Sequence, residues 1–165
     1  MPEDKTIFQN YMPGNVCFGC GTHNPDGLHI QSYWQDDIAV CQWQPQTQYQ
    51  GWQNLTCGGV IATIVDCHCI ATAMATAKRN EHKPLNSEPH YLFATGTMTI
   101  KYLLPTPINK NVEFKAWVTD IKNDKKYTLH CDVYAEQEKT VEAEVVALLV
   151  YRSDKPEQAN KYFQV

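Results

Sequence analysis

The stretch Gly58-Gly59-Val60-Ile61-Ala62-Thr63-Ile64-Val65-Asp66-Cys67-His68-Cys69-Ile70-Ala71-Thr72-Ala73-Met74-Ala75-Thr76-Ala77-Lys78 decides the fold. It carries no proline, and no glycine after Gly59. At ~1.5 Å per residue it predicts a helix of roughly 30 Å. Its residues are apolar almost all round, and a helix of that kind is buried on most faces. The many Ala and Thr residues keep it slim enough for a sheet to approach closely. Lys78 and Arg79 stand where cations complement the C-terminal end of the helix dipole.

The segments on either side read as strands. Before the helix, 28–34 and 38–43 are strand-like and separated by Gln35-Asp36-Asp37, a plausible hairpin turn. A polar connection holding Tyr49 and Trp52 leads from there to the helix. After it, 80–92 is polar with two prolines and reads as a loop. The segments 94–103, 112–121, 127–135 and 141–151 are rich in β-branched and aromatic residues. Pro105 and Pro107 end the first of them, and Asn123-Asp124-Lys125 and Glu136-Gln137-Glu138-Lys139 supply turns between the rest. Strands joined by tight turns are antiparallel, and one apolar helix is enclosed only if the sheet curls around it. The predicted class is α+β: an antiparallel sheet wrapped around one long central helix. Residues 1–16 read as an N-terminal arm, 17–152 as the domain and 153–165 as a tail.

Composition sets outer limits. The 165 residues are 43% hydrophobic and 19% charged, as expected of one globular domain rather than a disordered chain. The formal charge of -4 favours neither a nucleic-acid partner nor a membrane surface, both of which call for a basic face. No run reaches ~18 uninterrupted apolar residues, so no spanning segment is expected. The opening MPEDKTIFQNYMPG lacks the basic-then-apolar order of a secretion signal. The seven cysteines therefore read as reduced thiols of a cytoplasmic protein.

Asp66 is the residue most charged with chemistry. Its helical neighbours at three and four positions are Ala62, Thr63, Cys69 and Ile70, so its own face offers no cation. Burial there raises a carboxyl pKa toward the range of a general base. Gly58 and Gly59 open the helix, where free N–H groups backed by the dipole can hold an oxyanion. The bland alternatives are a solvated carboxylate and a glycine pair that only eases a turn. Cys57 could be a nucleophile beside a helix start, but no histidine can be assigned to it. His68 points about 200° away from Asp66 on the helix and reads as a satisfied core residue. Cys17-x-x-Cys20 with His23 invites a zinc reading. Structural zinc wants four ligands, no second CxxC follows, and Cys67 and Cys69 diverge on the helix, so no metal is expected and the loop reads as a turn.

The order and spacing of several segments resemble the hotdog-fold thioesterase superfamily. These are Cys17-Phe18-Gly19-Cys20-Gly21, Asn24-Pro25-Asp26-Gly27-Leu28, Gln50-Gly51-Trp52, the helix start through Asp66, and Thr97 to Pro107. The branch it most resembles holds phenylacetate-pathway and mitochondrial acyl-CoA thioesterases with an N-terminal CxxCG loop. The resemblance implies an acyl-CoA thioesterase for a fatty or aryl acyl group. Asp66 would activate water or attack the thioester, the Gly59 N–H would form the oxyanion hole, and Thr95 would help place the water or the thioester. Cys57, Gly58 and Ala62 would line the substrate, with Lys78, Arg79, Lys101 and Lys110 as candidate partners of the CoA phosphates. In that family the acid and the glycine serving one substrate often come from different protomers, which implies a homodimer or dimer of dimers. No cofactor is implied. The chain departs from the pattern at Cys57, where the family usually has histidine, and in a longer 80–92 loop. A non-hydrolysing acyl-CoA or fatty-acid-binding hotdog protein is the alternative. A dehydratase would need a paired histidine and acid, which is not visible.

Overall fold

The computed structural model describes residues 5–163. Six strands form one antiparallel sheet: β1 (Ser32–Gln35), β2 (Ile38–Trp43), β3 (Tyr91–Tyr102), β4 (Val112–Lys122), β5 (Lys126–Ala135) and β6 (Glu138–Arg152). Their order across the sheet is β1-β2-β4-β5-β6-β3. The helix α1 (Gly58–Asn80) lies along the curled face. Inward positions alternate along the strands, as the pleat requires: Val112, Phe114 and Ala116 on β4, Leu129, Cys131 and Val133 on β5, Val141, Ala143 and Val145 on β6 are all buried. They meet Ile61, Ile64, Val65, Ala71, Ala73 and Met74 of the helix. Small residues on both surfaces let helix and sheet pack closely.

The turns explain the register. Asn123 and Asp124 both take positive φ (53° and 54°), and so do Glu136 and Gln137 (50° and 72°). Two consecutive left-handed residues form the hairpin connection whose twist matches the flanking strands. β3 is different. It leaves the helix, crosses to the far side and, among the described residues, pairs only with β6, which leaves its other edge open to them.

One boundary changes. The first strand begins at Ser32, not at residue 28. His29 has φ 52°, which no strand residue adopts, and the Leu28 and Ile30 N–H groups instead donate to the Phe18 and Gly19 carbonyls at 2.8 and 3.2 Å. The described part of the N-terminal arm packs on the domain. Phe8 is fully buried with its ring 5.1 Å from Trp34, and Gln9 is buried beside it; residues 1–4 lie outside the described ones. Finally, α1 is long and apolar enough to cross a membrane by length and mean hydropathy (1.6), although its run is interrupted by polar residues; 67% of that window is buried inside the domain.

Candidate functional site

α1 is mostly buried, but Gly59 is exposed and Ala62, Thr63, Asp66 and Ile70 are only partly covered. Their spacing makes one stripe along the helix. Two segments flank it: β3, and the loop that carries Cys17 and Cys20. The register of β3 against β6 slips between Thr95 and Thr97, leaving Gly96 as a bulge. A bulge bends its strand and re-aims neighbouring side chains. Here the Thr95 hydroxyl donates to Oδ1 of Asp66. Oδ2 has no hydrogen-bond partner, and no cation pairs with the carboxylate, among the described residues. Burial raises the Asp66 pKa, the Thr95 hydrogen bond opposes this, and the nearby Cys17 charge adds to the rise.

At the helix start, the Gly58 and Gly59 N–H groups have no partner among the described residues, as the first turn of any helix leaves them. The Tyr102 hydroxyl donates to the Gly58 carbonyl at 2.7 Å. A Cβ at Gly58 would stand 3.3 Å from the Tyr102 ring, whereas one at Gly59 would meet only Cys57 Sγ at 3.8 Å. The fold therefore does not require glycine at position 59. Beside these residues runs an open groove of about 440 Å³ lined by Trp52, Ile61, Tyr102, Leu103 and Leu104. Gly59 and Asp66 share a face but lie two turns apart, roughly 10 Å along the axis.

The third cluster was not expected. Gly21 N–H donates to the Cys17 carbonyl at 2.8 Å, which folds 17–21 into a tight turn. Gly19 seats this turn on α1, since a Cβ there would come within 2.4 Å of Cys67 Sγ. Cys17 Sγ lies 3.6 Å from Cys67 Sγ, and the sulfurs of Cys17, Cys20 and Cys67 are all within 4.8 Å of one another. The hydrogen bond between the two thiols holds the Cys17 pKa down to about 5 against the effect of burial, while Cys67 itself is pushed well up. Cys67 and Cys69 do diverge, as expected, but Cys67 alone reaches the CxxC turn. Nothing in the 46 residues between Cys20 and Cys67 signals that meeting.

No known family profile matches the chain, and no curated protein matches it. Solved structures do. A thioesterase superfamily protein from Shewanella loihica is 24% identical, with a TM-score of 0.58 over 72% of this chain and 89% of that one. The E. coli PaaI protein from the phenylacetic acid degradation operon is 12% identical, with a TM-score of 0.60 over 75% and 81%. A Streptococcus mutans protein bound to acetyl CoA is 10% identical, with a TM-score of 0.60 over 73% and 87%. The chain has the hotdog fold.

Within this hotdog domain the expected phosphate partners sort unevenly. Lys78 is buried, its ammonium donates to the Ser87 carbonyl and it lies 5.3 Å from the Tyr91 ring centre. It is not a phosphate partner: the 80–92 loop folds back and consumes it. Arg79 stacks 3.7 Å over Trp34 and bonds the Asp36 carbonyl. Lys101 and Lys110 remain at the surface, each paired with a glutamate, Glu142 at 3.4 Å and Glu136 at 3.0 Å. Cys57 stands at the N-cap, half-buried, with no side-chain hydrogen bond to the helix. His68 is fully buried and satisfied: its Nε2–H donates to the Ala39 carbonyl at 3.1 Å, and Nδ1 accepts from Ser32 Oγ at 2.8 Å.

Proposed function

We propose that this hotdog protein is an acyl-CoA thioesterase whose site is completed by a second copy of the chain. The observation that carries the reading is Asp66. Among the described residues it is a half-buried carboxylate with no cation, held by one hydroxyl and leaving one oxygen free, on a partly open stripe of a mostly buried helix. A carboxylate in that setting is costly to keep unless it works. It would take a proton from a water whose oxygen attacks the thioester carbon. The C–S bond then breaks, and the thiolate leaves with a proton from solvent or from Asp66. The developing oxyanion needs donors about 3 Å away. Gly59 of the same chain is too far to serve, so the reading assigns the N–H of a partner copy. The open edge of β3 offers a surface on which two copies can meet. Solved hotdog proteins that hold acetyl CoA or coenzyme A support the substrate class.

The test is turnover of a panel of short, long and aryl acyl-CoAs, following release of the free thiol. Hydrolysis abolished by Asp66→Asn supports the reading. Tight acyl-CoA binding without release would instead support the non-hydrolysing alternative, which the replacement of the usual histidine by Cys57 favours. The acyl group would run along Ala62 and the apolar groove beside Gly58.

A further inference from the structure

No step of that hydrolysis needs the convergence of three thiols. We propose that Cys17, Cys20 and Cys67 form a binding site for a thiophilic divalent cation of the zinc class, pinning the 17–27 loop to α1 beside Asp66. The inference stands whether or not the protein is a hydrolase.

The geometry suits a metal better than a disulfide. Thiolates ~2.3 Å from zinc in a tetrahedron lie about 3.8 Å apart. Cys17 and Cys67 are 3.6 Å apart, and no pair of the three exceeds 4.8 Å. A disulfide would use two sulfurs and leave the third idle, whereas all three converge. The loop is shaped to present them. Gly21 cannot carry a Cβ, which would fall 2.5 Å from the Cys17 backbone. Gly19 is the residue that lets the turn lie on Cys67. Asn15 holds the turn, its Nδ2 donating to Cys20 Sγ at 3.3 Å and its Oδ1 accepting from the Cys17 N–H at 3.0 Å. Hydrogen bonds of this kind orient metal-bound thiolates. Cys20 and Cys67 are buried and Cys17 is exposed, so the fourth position of the cation opens toward solvent on the Cys17 side. No fourth cysteine, histidine or carboxylate joins the three within that distance among the described residues. On binding, each thiol that still carries a proton releases it to solvent as its sulfur takes the cation.

The test uses the reduced full-length chain, stripped of metal and titrated with cobalt(II) and zinc(II). Cobalt is expected to give thiolate charge-transfer bands and tetrahedral visible bands that saturate at one equivalent and are bleached by zinc. Cys67→Ser should weaken binding by about 100-fold or more, beyond what loss of an outer partner costs, while Cys69→Ser should leave it unchanged. Should Cys67→Ser fold poorly, maleimide labelling of the unaltered chain decides the matter. Zinc should protect Cys17, Cys20 and Cys67 but not Cys57, and a chelator should remove the protection. Absence of the charge-transfer bands, bands that survive Cys67→Ser, or labelling of the three cysteines that zinc does not slow would each overturn the proposal.

Discussion

Asp66 and His68 are two residues apart on α1 and point about 200° apart, one onto the half-open stripe and the other into the core. Burial pushes both toward their neutral forms: the carboxyl pKa rises, and the imidazole falls to about 4. Their partners separate them. His68 has both ring nitrogens occupied, and the chain continues from Ser32 to Gln9, whose side chain bonds Ser32 at 2.9 and 2.8 Å. That network ties the N-terminal turn, β1, the helix and β2 together. Asp66 has one partner and a free oxygen. A perturbed titratable group is thus no sign of chemistry by itself; the sign is perturbation with hydrogen-bonding capacity left over.

The comparison can be broken most sharply at Asp66. Asp66→Asn is expected to leave the circular dichroism spectrum and melting temperature close to those of the parent, while thioester hydrolysis falls about 10²- to 10⁴-fold. Retained turnover would make the two residues alike, both structural.

At His68 the reverse is expected. His68→Leu leaves Ser32 and the Ala39 carbonyl without their partner and should cost about 3 kcal/mol in urea unfolding, with turnover per folded molecule unchanged. The same residue gives a pH dependence. Its folded pKa lies below the unfolded one, so the unfolded chain binds the extra proton, and stability present above pH 6.5 is lost as pH falls toward 4. The loss from this group should approach roughly 3 kcal/mol and be missing from His68→Leu.

Smaller effects sharpen the Asp66 side. The Thr95 hydrogen bond favours the charged carboxylate, so Thr95→Val should move the acid limb of the pH–rate profile upward. An unmoved limb would mean that Thr95 only packs. Gly59→Ala should be neutral or stabilise the helix by up to about 1 kcal/mol, since space is open there. It should nonetheless lower turnover, because a methyl group would stand where the carbonyl must approach. Unchanged turnover would remove Gly59 from the site.

Much of this was legible in the sequence for physical reasons. The sequence predicts a helix over 58–78 and α1 runs from Gly58 to Asn80, because apolarity all round admits only an enclosed helix. The pair of Asp66 with Thr95 was foreshadowed by the resemblance, and the half-burial of Asp66 by its uncharged neighbours. What escaped depends on loops. Lys78 sits at a helix end, where lysines are normally solvated, but the carbonyl of Ser87 captures it from a loop with no periodic signal. Leu28 has strand-like neighbours, yet its N–H closes the cysteine turn. Cys67 looked isolated because its companions come from a turn whose seat is set by the missing side chain of Gly19.

The place of β3 at the sheet's edge has a bearing on how the chain comes off the ribosome. Among the described residues β3 pairs only with β6, whose last residue is Arg152, so the sheet cannot close over α1 until Arg152 has been made. From Asn80 to Arg152 takes roughly 4–15 s at the usual pace of synthesis. Throughout that interval an apolar helix 23 residues long waits without its cover. The nascent chain is therefore at its most aggregation-prone just after the helix emerges, and a chain halted within β5 would carry the helix without the seam that closes over it.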